Sequence, residues 1–184
     1  AAADAASAWA VGEGGVILKT SDGGRTWKHH PAGATVTLRA VACSGASVAW
    51  AVGDGGTVMR TGDGGENWTG QASGTRADLF GVSAVDASTA WAVGAGGVIL
   101  KTVDGGATWT RQNGRTGATL YSVSAVDAST AWAVGEGGTV LKTNNGGMTW
   151  VPQALAAEGA AGSAAGGTGA AGGGAPVSRS PTSG

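Results

Sequence analysis

Three carboxylates and one amide share a local setting in this chain: Asp22-Gly23-Gly24, Asp63-Gly64-Gly65, Asp104-Gly105-Gly106 and Asn145-Gly146-Gly147. An acid beside a glycine pair suits calcium ligation or general acid–base work. Four cations keep step with these positions, Lys19, Arg60, Lys101 and Lys142, and cations at regular spacing suit an acidic partner. Trp bounds each setting on both sides: Trp9 and Trp27, Trp50 and Trp68, Trp91 and Trp109, Trp132 and Trp150, which are all eight in the chain. The first of each pair recurs at 9, 50, 91 and 132, a period of 41 residues. Such self-similarity is the signature of a repeat architecture.

Repetition itself argues against chemistry at the acids. One per repeat spreads them around a rim, where they cannot converge on one substrate, and Asn145 holds the position without a charge. Asp22, Trp27, Asp63, Trp68, Asp104, Trp109, Asn145 and Trp150 therefore read as structural. The Asp or Asn side chain is expected to accept the amides of the following Gly-Gly, with Trp packed on the hairpin. The calcium-loop spacing D-x-D-x-D-G is absent. No catalytic residue, metal site or cofactor is expected. His29 and His30 are adjacent on a strand, so they point to opposite faces and read as a solvated pair. Tyr121, the only Tyr, stands in register with Phe80 and Arg39 and reads as packing.

Two readings are open for the cations. Lys19, Arg60, Lys101 and Lys142 can form a curved basic stripe that an acidic segment of a partner follows. Alternatively each pairs locally with the turn acid of its own hairpin, Glu13, Asp54 or Glu136; Ala95 breaks that pairing in the third repeat while Lys101 remains. Arg76, Arg111 and Arg115 fall in loops between repeats, where they can extend a basic surface on one rim.

The elements that must position these residues are short strands. Trp9-Ala-Val-Gly12 and its three equivalents open a strand with Trp and Val on one face. A two-residue turn ending in Gly follows, and Gly supplies the positive φ of a tight hairpin. The next strands, Val16–Thr20, Thr57–Thr61, Val98–Thr102 and Thr139–Thr143, are almost continuously apolar, so both faces are expected to be covered. A further strand leaves the second Trp, as in Trp109–Gln112, and a leading strand such as Leu79–Ser83 opens the next repeat. Four antiparallel strands in 41 residues make one β-propeller blade. The sequence thus predicts an all-β propeller over residues 1–155, with units near 4–34, 35–77, 78–118 and 119–155. The first unit lacks its leading strand, so three full blades and one partial blade are expected in an incomplete, open arc; a compact four-bladed ring is the alternative. Open sheet faces and edges would favour self-association. Residues 156–184, nearly all Ala, Gly, Ser, Thr and Pro, read as a disordered tail or linker.

Composition narrows the function classes. Gly contributes 37 of 184 residues, and the net charge of −1 offers no field for nucleic acid. Cys43 is alone, so neither an intrachain disulfide nor a cysteine metal cluster can form. No apolar run approaches the roughly 18 residues of a membrane span. The opening AAADAASAW has no Met and no signal-peptide pattern, so either a targeting segment has been removed or the chain is a piece of a longer protein.

The segments Thr20–Trp27 and Thr102–Trp109 resemble the Asp-box, S/T-x-D-x-G-x-T-W, of bacterial neuraminidase repeats; Asn67 and Asn145 depart from it in the second and fourth copies. With AWAVGxGG and the following strand in front, the repeat resembles the photosystem II stability/assembly factor family. That resemblance implies a β-propeller, seven-bladed in the assembly factor, and a non-enzymatic role. It also implies a protein partner such as a photosystem II subunit or precursor, and a place in the thylakoid lumen. The alternative is a secreted or cell-surface Asp-box protein that binds glycan or polymer; a glycosidase fragment comes third. Sialidase chemistry would also need a Tyr nucleophile or paired carboxylates, plus an arginine triad, and the F/Y-R-I-P segment is missing.

Overall fold

The computed structural model describes residues 1–154, which form short strands in four antiparallel sheets. The first sheet holds β1 (Ala8–Val11), β2 (Ile17–Thr20) and β3 (Lys28–His29). The second holds β4 (Leu38–Ser44), β5 (Val48–Gly53), β6 (Val58–Thr61) and β7 (Thr69–Gln71). The third holds β8 (Leu79–Ala84), β9 (Ala90–Gly94), β10 (Ile99–Thr102) and β11 (Thr110–Arg111). The fourth holds β12 (Leu120–Ala125), β13 (Ala131–Gly135), β14 (Val140–Thr143) and β15 (Val151–Pro152). Strands neighbour one another in chain order within every sheet, the meander of a propeller blade.

The hairpin between the second and third strand of a blade is one residue longer than its sequence suggests. It spans three residues in a 3-10 turn, as at Ala95–Gly97, and both glycines take positive φ, 62° at Gly96 and 69° at Gly97. The second glycine is required for another reason as well. A Cβ built on Gly97 would lie 2.0 Å from the Thr116 carbonyl oxygen, because the loop to the next blade runs directly against it. The Gly-Gly pair therefore sets both the turn and its seat on the following loop.

The core lies between blades. Trp9 and Ile17 of the first sheet meet Leu38, Ala49, Ala51, Met59 and Trp68 of the second. Trp50, Val52 and Val58 meet Leu79, Ala92, Leu100 and Trp109 of the third. Trp91, Val93 and Ile99 meet Leu120, Ala133, Leu141 and Trp150 of the fourth. Every junction thus sets the Trp face of one blade on the Ala/Leu face of the next, which explains why the third strands are apolar on both sides.

Among the described residues the outermost faces have no such cover. Trp27, in the first blade, is 45% exposed, whereas its equivalents Trp68, Trp109 and Trp150 are buried. At the other end Trp132 is only half-buried, whereas Trp50 and Trp91 are fully buried. A closed ring would bury both, so the described blades form an open arc. The first blade is three-stranded, but the position of its leading strand is not bare. The Trp9 amide donates to the Ala1 carbonyl oxygen at 2.7 Å, and Ala2 bridges Ala8. These are the registers that Ala42 and Cys43 hold against Trp50 and Ala49 in the second blade. The expectation for residues 156–184 lies outside the described residues.

Gly97→Ala should destabilise the chain by more than about 2 kcal/mol, combining left-handed strain with the carbonyl clash. Gly117→Ala, where a Cβ meets nothing within 4 Å, should change stability by less than about 0.5 kcal/mol. Urea unfolding of the two variants measures the difference.

Candidate functional site

Chain direction sorts the candidate residues onto two rims. The second strand of each blade runs toward the 3-10 turn and the third runs back to the Asp-box turn. One rim therefore carries the boxes, and the opposite rim carries the 3-10 turns and the loops between blades. Lys19, Arg60, Lys101 and Lys142 sit near the box rim. Arg39, Arg76 and Arg115 belong to the 3-10 rim.

At the box rim the acids are occupied by their own turns. Asp22 Oδ1 accepts the Thr20 hydroxyl at 2.8 Å and the Thr26 amide at 2.9 Å, and Oδ2 accepts the Thr26 hydroxyl at 2.6 Å. Asp104 repeats this with Thr102 and Thr108. Asp63 does so with Thr61 and Asn67. Asn145 keeps the geometry with its polarity reversed, its Nδ2 donating to Thr149 Oγ1 at 2.8 Å. The expected bond from Gly-Gly amides to Asp is not made. The second glycine's amide goes instead to the buried Thr hydroxyl, for example Gly65 to Thr61 Oγ1 at 2.9 Å. The first glycine's amide goes to the loop before the second strand, as Gly64 to the Ser47 carbonyl oxygen at 2.8 Å. The Asp reaches forward, closing the loop onto the residue before Trp.

Those bonds favour the charged carboxylate. The Thr26 hydroxyl and amide, with the Thr20 hydroxyl, hold Asp22 down to about 2. Thr108 and Thr102 do the same for Asp104, also to about 2. Asp63 lies well below the usual carboxylate range, with the Asn67 amide the main cause. An anion so deeply ionised in an exposed turn is a poor proton donor or base near neutrality.

The cations bind neighbouring blades. Each stands directly across from the Trp of its own blade, in the pairs Trp9↔Lys19, Trp50↔Arg60, Trp91↔Lys101 and Trp132↔Lys142. Each charge lies over that indole, at 4.8, 5.2, 4.5 and 4.7 Å from the ring centre in turn. Lys19 Nζ then donates to the carbonyl oxygens of Ala46 at 3.1 Å and Gly64 at 2.9 Å, both in the second blade. Arg60 donates to Ala87 of the third at 3.0 Å. Lys101 donates to Ala128 at 2.6 Å and Gly146 at 3.0 Å, both in the fourth. Lys142 has no such bond among the described residues. Burial pushes the Lys101 ammonium down, and Asp127 opposes that shift. The local pairing with Glu13, Asp54 or Glu136 does not form: among the described residues the one ion pair joins Arg39 to Asp54.

His30 is a second correction. It is buried rather than solvated, its Nδ1 donates to the Gly65 carbonyl oxygen at 2.6 Å, and its ring lies beside Trp9. Gln71 stands at the same repeat position and serves the next junction. Its Nε2 donates to the Gly105 carbonyl oxygen at 2.8 Å and its Oε1 accepts the Trp109 indole N–H at 3.1 Å. The shared 41-residue phase of His30, Gln71, Gln112 and Gln153 was the available signal.

The 3-10 rim carries a row that residue type alone did not reveal. Registers slip between Leu38 and Ala40, Leu79 and Gly81, and Leu120 and Ser122, so Arg39, Phe80 and Tyr121 are bulge residues on three successive leading strands. A bulge re-aims its side chain. Arg39 lies over the Phe80 ring at 5.1 Å and Phe80 lies 5.9 Å from Tyr121, which is 53% exposed. Tyr121 thus does pack, but as the open end of a stack. In the neighbouring loop Arg111 and Arg115 share a shallow depression with Gln112 and Asn113. Arg115 takes φ 51°, where the preceding blades have Gly74 and Gly33. Among the described residues no three His, Cys, Asp or Glu side chains cluster as metal ligands, and no helix is long and apolar enough to cross a membrane.

Two outcomes follow from this geometry. The box acids have folded pKa values below the unfolded value of about 3.9, so their contribution is complete above that pH and is lost as pH falls through about 2. The thermal midpoint should drop between pH 4 and pH 2, and the Asp22→Asn/Asp104→Asn double variant, copying Asn145, should show a shallower drop. Lys101→Met should cost about 1–2 kcal/mol in urea unfolding through two lost charged hydrogen bonds. Exposed Lys28→Met should cost less than about 0.5 kcal/mol.

Comparison with known proteins agrees with this architecture. The family model described as photosynthesis system II assembly factor YCF48 matches residues 34–168. Among solved structures, "YCF48 bound to D1 peptide" superposes with a TM-score of 0.68 at 21% identity, covering 85% of this chain and 52% of that one. YCF48 from Cyanidioschyzon merolae gives 0.65 at 26% identity, covering 83% and 53%. An ancestral GH74 enzyme gives 0.65 at 16% identity, covering 81% and 23%, a likeness of fold alone. No curated protein matches. The chain spans about half the length of the YCF48 structures it matches. The family match extends over well more than half of the 184 residues, and the chain belongs to the photosynthesis system II assembly factor YCF48 family.

Proposed function

We propose that this chain is a non-enzymatic, protein-binding propeller that serves photosystem II assembly by holding an extended segment of a photosystem II subunit on its 3-10 rim. The observation that carries the reading is the stacked row Arg39–Phe80–Tyr121, a cation and two aromatic rings in line across adjacent blades. Such a row suits an extended peptide with acidic and apolar side chains. Family membership supports the same reading, as does a solved relative described as YCF48 bound to D1 peptide. Engagement of both carboxylate oxygens of Asp22, Asp63 and Asp104 in their own turns supports a role without catalysis.

The basic stripe takes a different part in this proposal. Lys19, Arg60 and Lys101 spend donors on the neighbouring blade, so their main work is to fix blade spacing. Their residual charge adds a weaker attraction for an acidic partner.

Titration of the full chain with a D1 peptide tests this directly. Arg39→Glu and Tyr121→Ala should each weaken binding by roughly tenfold or more, and Lys101→Met should leave the affinity of the folded chain unchanged. Loss of binding in Lys101→Met with retention in Tyr121→Ala would move the site to the stripe. Absence of peptide binding, with Tyr121-dependent binding of a neutral oligosaccharide, would favour the glycan-binding alternative.

A further inference from the structure

The first internal junction carries a polar depression on the box rim. It holds about 390 Å³, with Lys19, Ser21, Lys28 and His30 on the first-blade wall and Ser47 and Glu66 on the second-blade wall. Lys28 pairs directly across from Lys19, so both side chains leave the same face of the sheet, and His30, two residues on, follows them. The 41-residue period puts Thr69 and Thr110 where Lys28 stands, Gln71 and Gln112 where His30 stands, Gly62 and Val103 for Ser21, and Ala107 and Met148 for Glu66. The fold therefore accepts uncharged residues at all four positions, and among the described junctions only the first is charged there.

The depression has two distinct ends. Ser47 adjoins Ala46, whose carbonyl oxygen takes Lys19, and Lys28 stands beside Lys19, so this end collects donors. The Lys19 ammonium spends two of its three N–H groups, on Ala46 and Gly64. At the other end Glu66 follows Gly65, whose carbonyl oxygen is the partner of His30 Nδ1 at 2.6 Å. A carbonyl only accepts, so the proton sits on Nδ1 and neutral His30 keeps Nε2 as a bare acceptor. His30 is 6% exposed, yet its Nε2 is not sealed off like the indole nitrogen of Trp9 beside it, and it opens on the depression.

The charges across this space are unsatisfied and balanced. Lys28 and Glu66 both line it without pairing; among the described residues the one ion pair is Arg39 with Asp54. Asp63 also lines it, but its oxygens are taken by Thr61 and Asn67. With Lys19 and Lys28 set against Asp63 and Glu66, the lining has no formal charge while His30 is neutral. A plain anion or a plain cation gains little from such a lining, whereas a ligand of both signs satisfies both ends.

We propose that this depression binds a small zwitterion, with a phosphate at the Lys19, Lys28 and serine end and an ammonium at the Glu66 and His30 end. Two ammonium groups and two hydroxyls suit the several strong acceptor oxygens of a phosphate. The ligand's ammonium donates to the Glu66 carboxylate and to His30 Nε2. Phosphoethanolamine is a simple ligand of this kind, free or as a lipid head group. The site is built from residues between 19 and 66, inside an internal junction, and is independent of peptide capture on the opposite rim.

Calorimetric titration of the full 184-residue chain with phosphoethanolamine tests this. Saturable binding is expected, at least roughly tenfold tighter than that of ethyl phosphate or of ethanolamine, each of which leaves one end empty. Lys28→Thr and Glu66→Ala copy residues from other blades, so each should keep the wild-type urea midpoint while weakening binding roughly tenfold. Co-sedimentation with phosphatidylcholine vesicles, with and without phosphatidylethanolamine, identifies the source, since choline has no N–H to donate. Phosphatidylethanolamine-dependent capture that both variants lose marks a lipid head group; soluble binding without capture marks a free zwitterion. Absence of both soluble binding and capture would overturn the proposal. So would ethyl phosphate binding as tightly as phosphoethanolamine, or binding that either variant leaves unchanged.

Discussion

The junctions of this arc depend on burying one indole against the next blade, and at two of the three it seats on a glycine. Trp9 meets Trp68 edge-on at 5.4 Å and Trp91 meets Trp150 at 5.6 Å, with the second box glycine beneath the incoming ring. A methyl group at that glycine would collide with the indole. Fully burying each Trp is worth roughly 4–6 kcal/mol on surface-area reckoning, more than any other single contact here. The Asp-box is the device that presents the glycine. A buried Thr hydroxyl takes its amide, and the Asp or Asn side chain folds the rest of the turn back toward the box Trp.

A polar layer lies over this apolar one and keeps it in register. The cation of each blade rests on its own Trp; Lys19 and Lys101 donate to a box glycine and a loop carbonyl of the next blade, and Arg60 to the loop carbonyl, while His30 binds the carbonyl oxygen of the second box glycine Gly65 and Gln71 that of the first box glycine Gly105. Dispersion and burial hold two sheets together without specifying how they slide. Directional bonds to backbone carbonyls do specify it, because a shift of a single ångström breaks them. The same residues thus explain why successive blades repeat one geometry.

The opposite rim is built on a different principle. There the leading strands bulge once per blade, which turns Arg39, Phe80 and Tyr121 out of the core and into one line. Their types vary from blade to blade while the surrounding Leu and Val do not. Variation at a constant backbone position is what a recognition surface on a repeat scaffold requires, since the fold does not depend on which side chain stands there.

Much of this was legible in the residues alone. The period of 41 and the strand and turn chemistry within it follow from local rules: alternation along a strand, positive φ at glycine, a turn carboxylate that can be replaced by an amide. Those interactions span a few residues, so spacing exposes them. What only the folded chain decided runs between repeats. That Lys101 serves Gly146 and not a turn acid, that His30 is buried, that Arg39, Phe80 and Tyr121 stack, and that Trp27 and Trp132 face outward all depend on which sheet lies against which. Partners 27 to 45 residues apart are joined by the stacking of blades, and neither composition nor period records which face of a strand a neighbour covers.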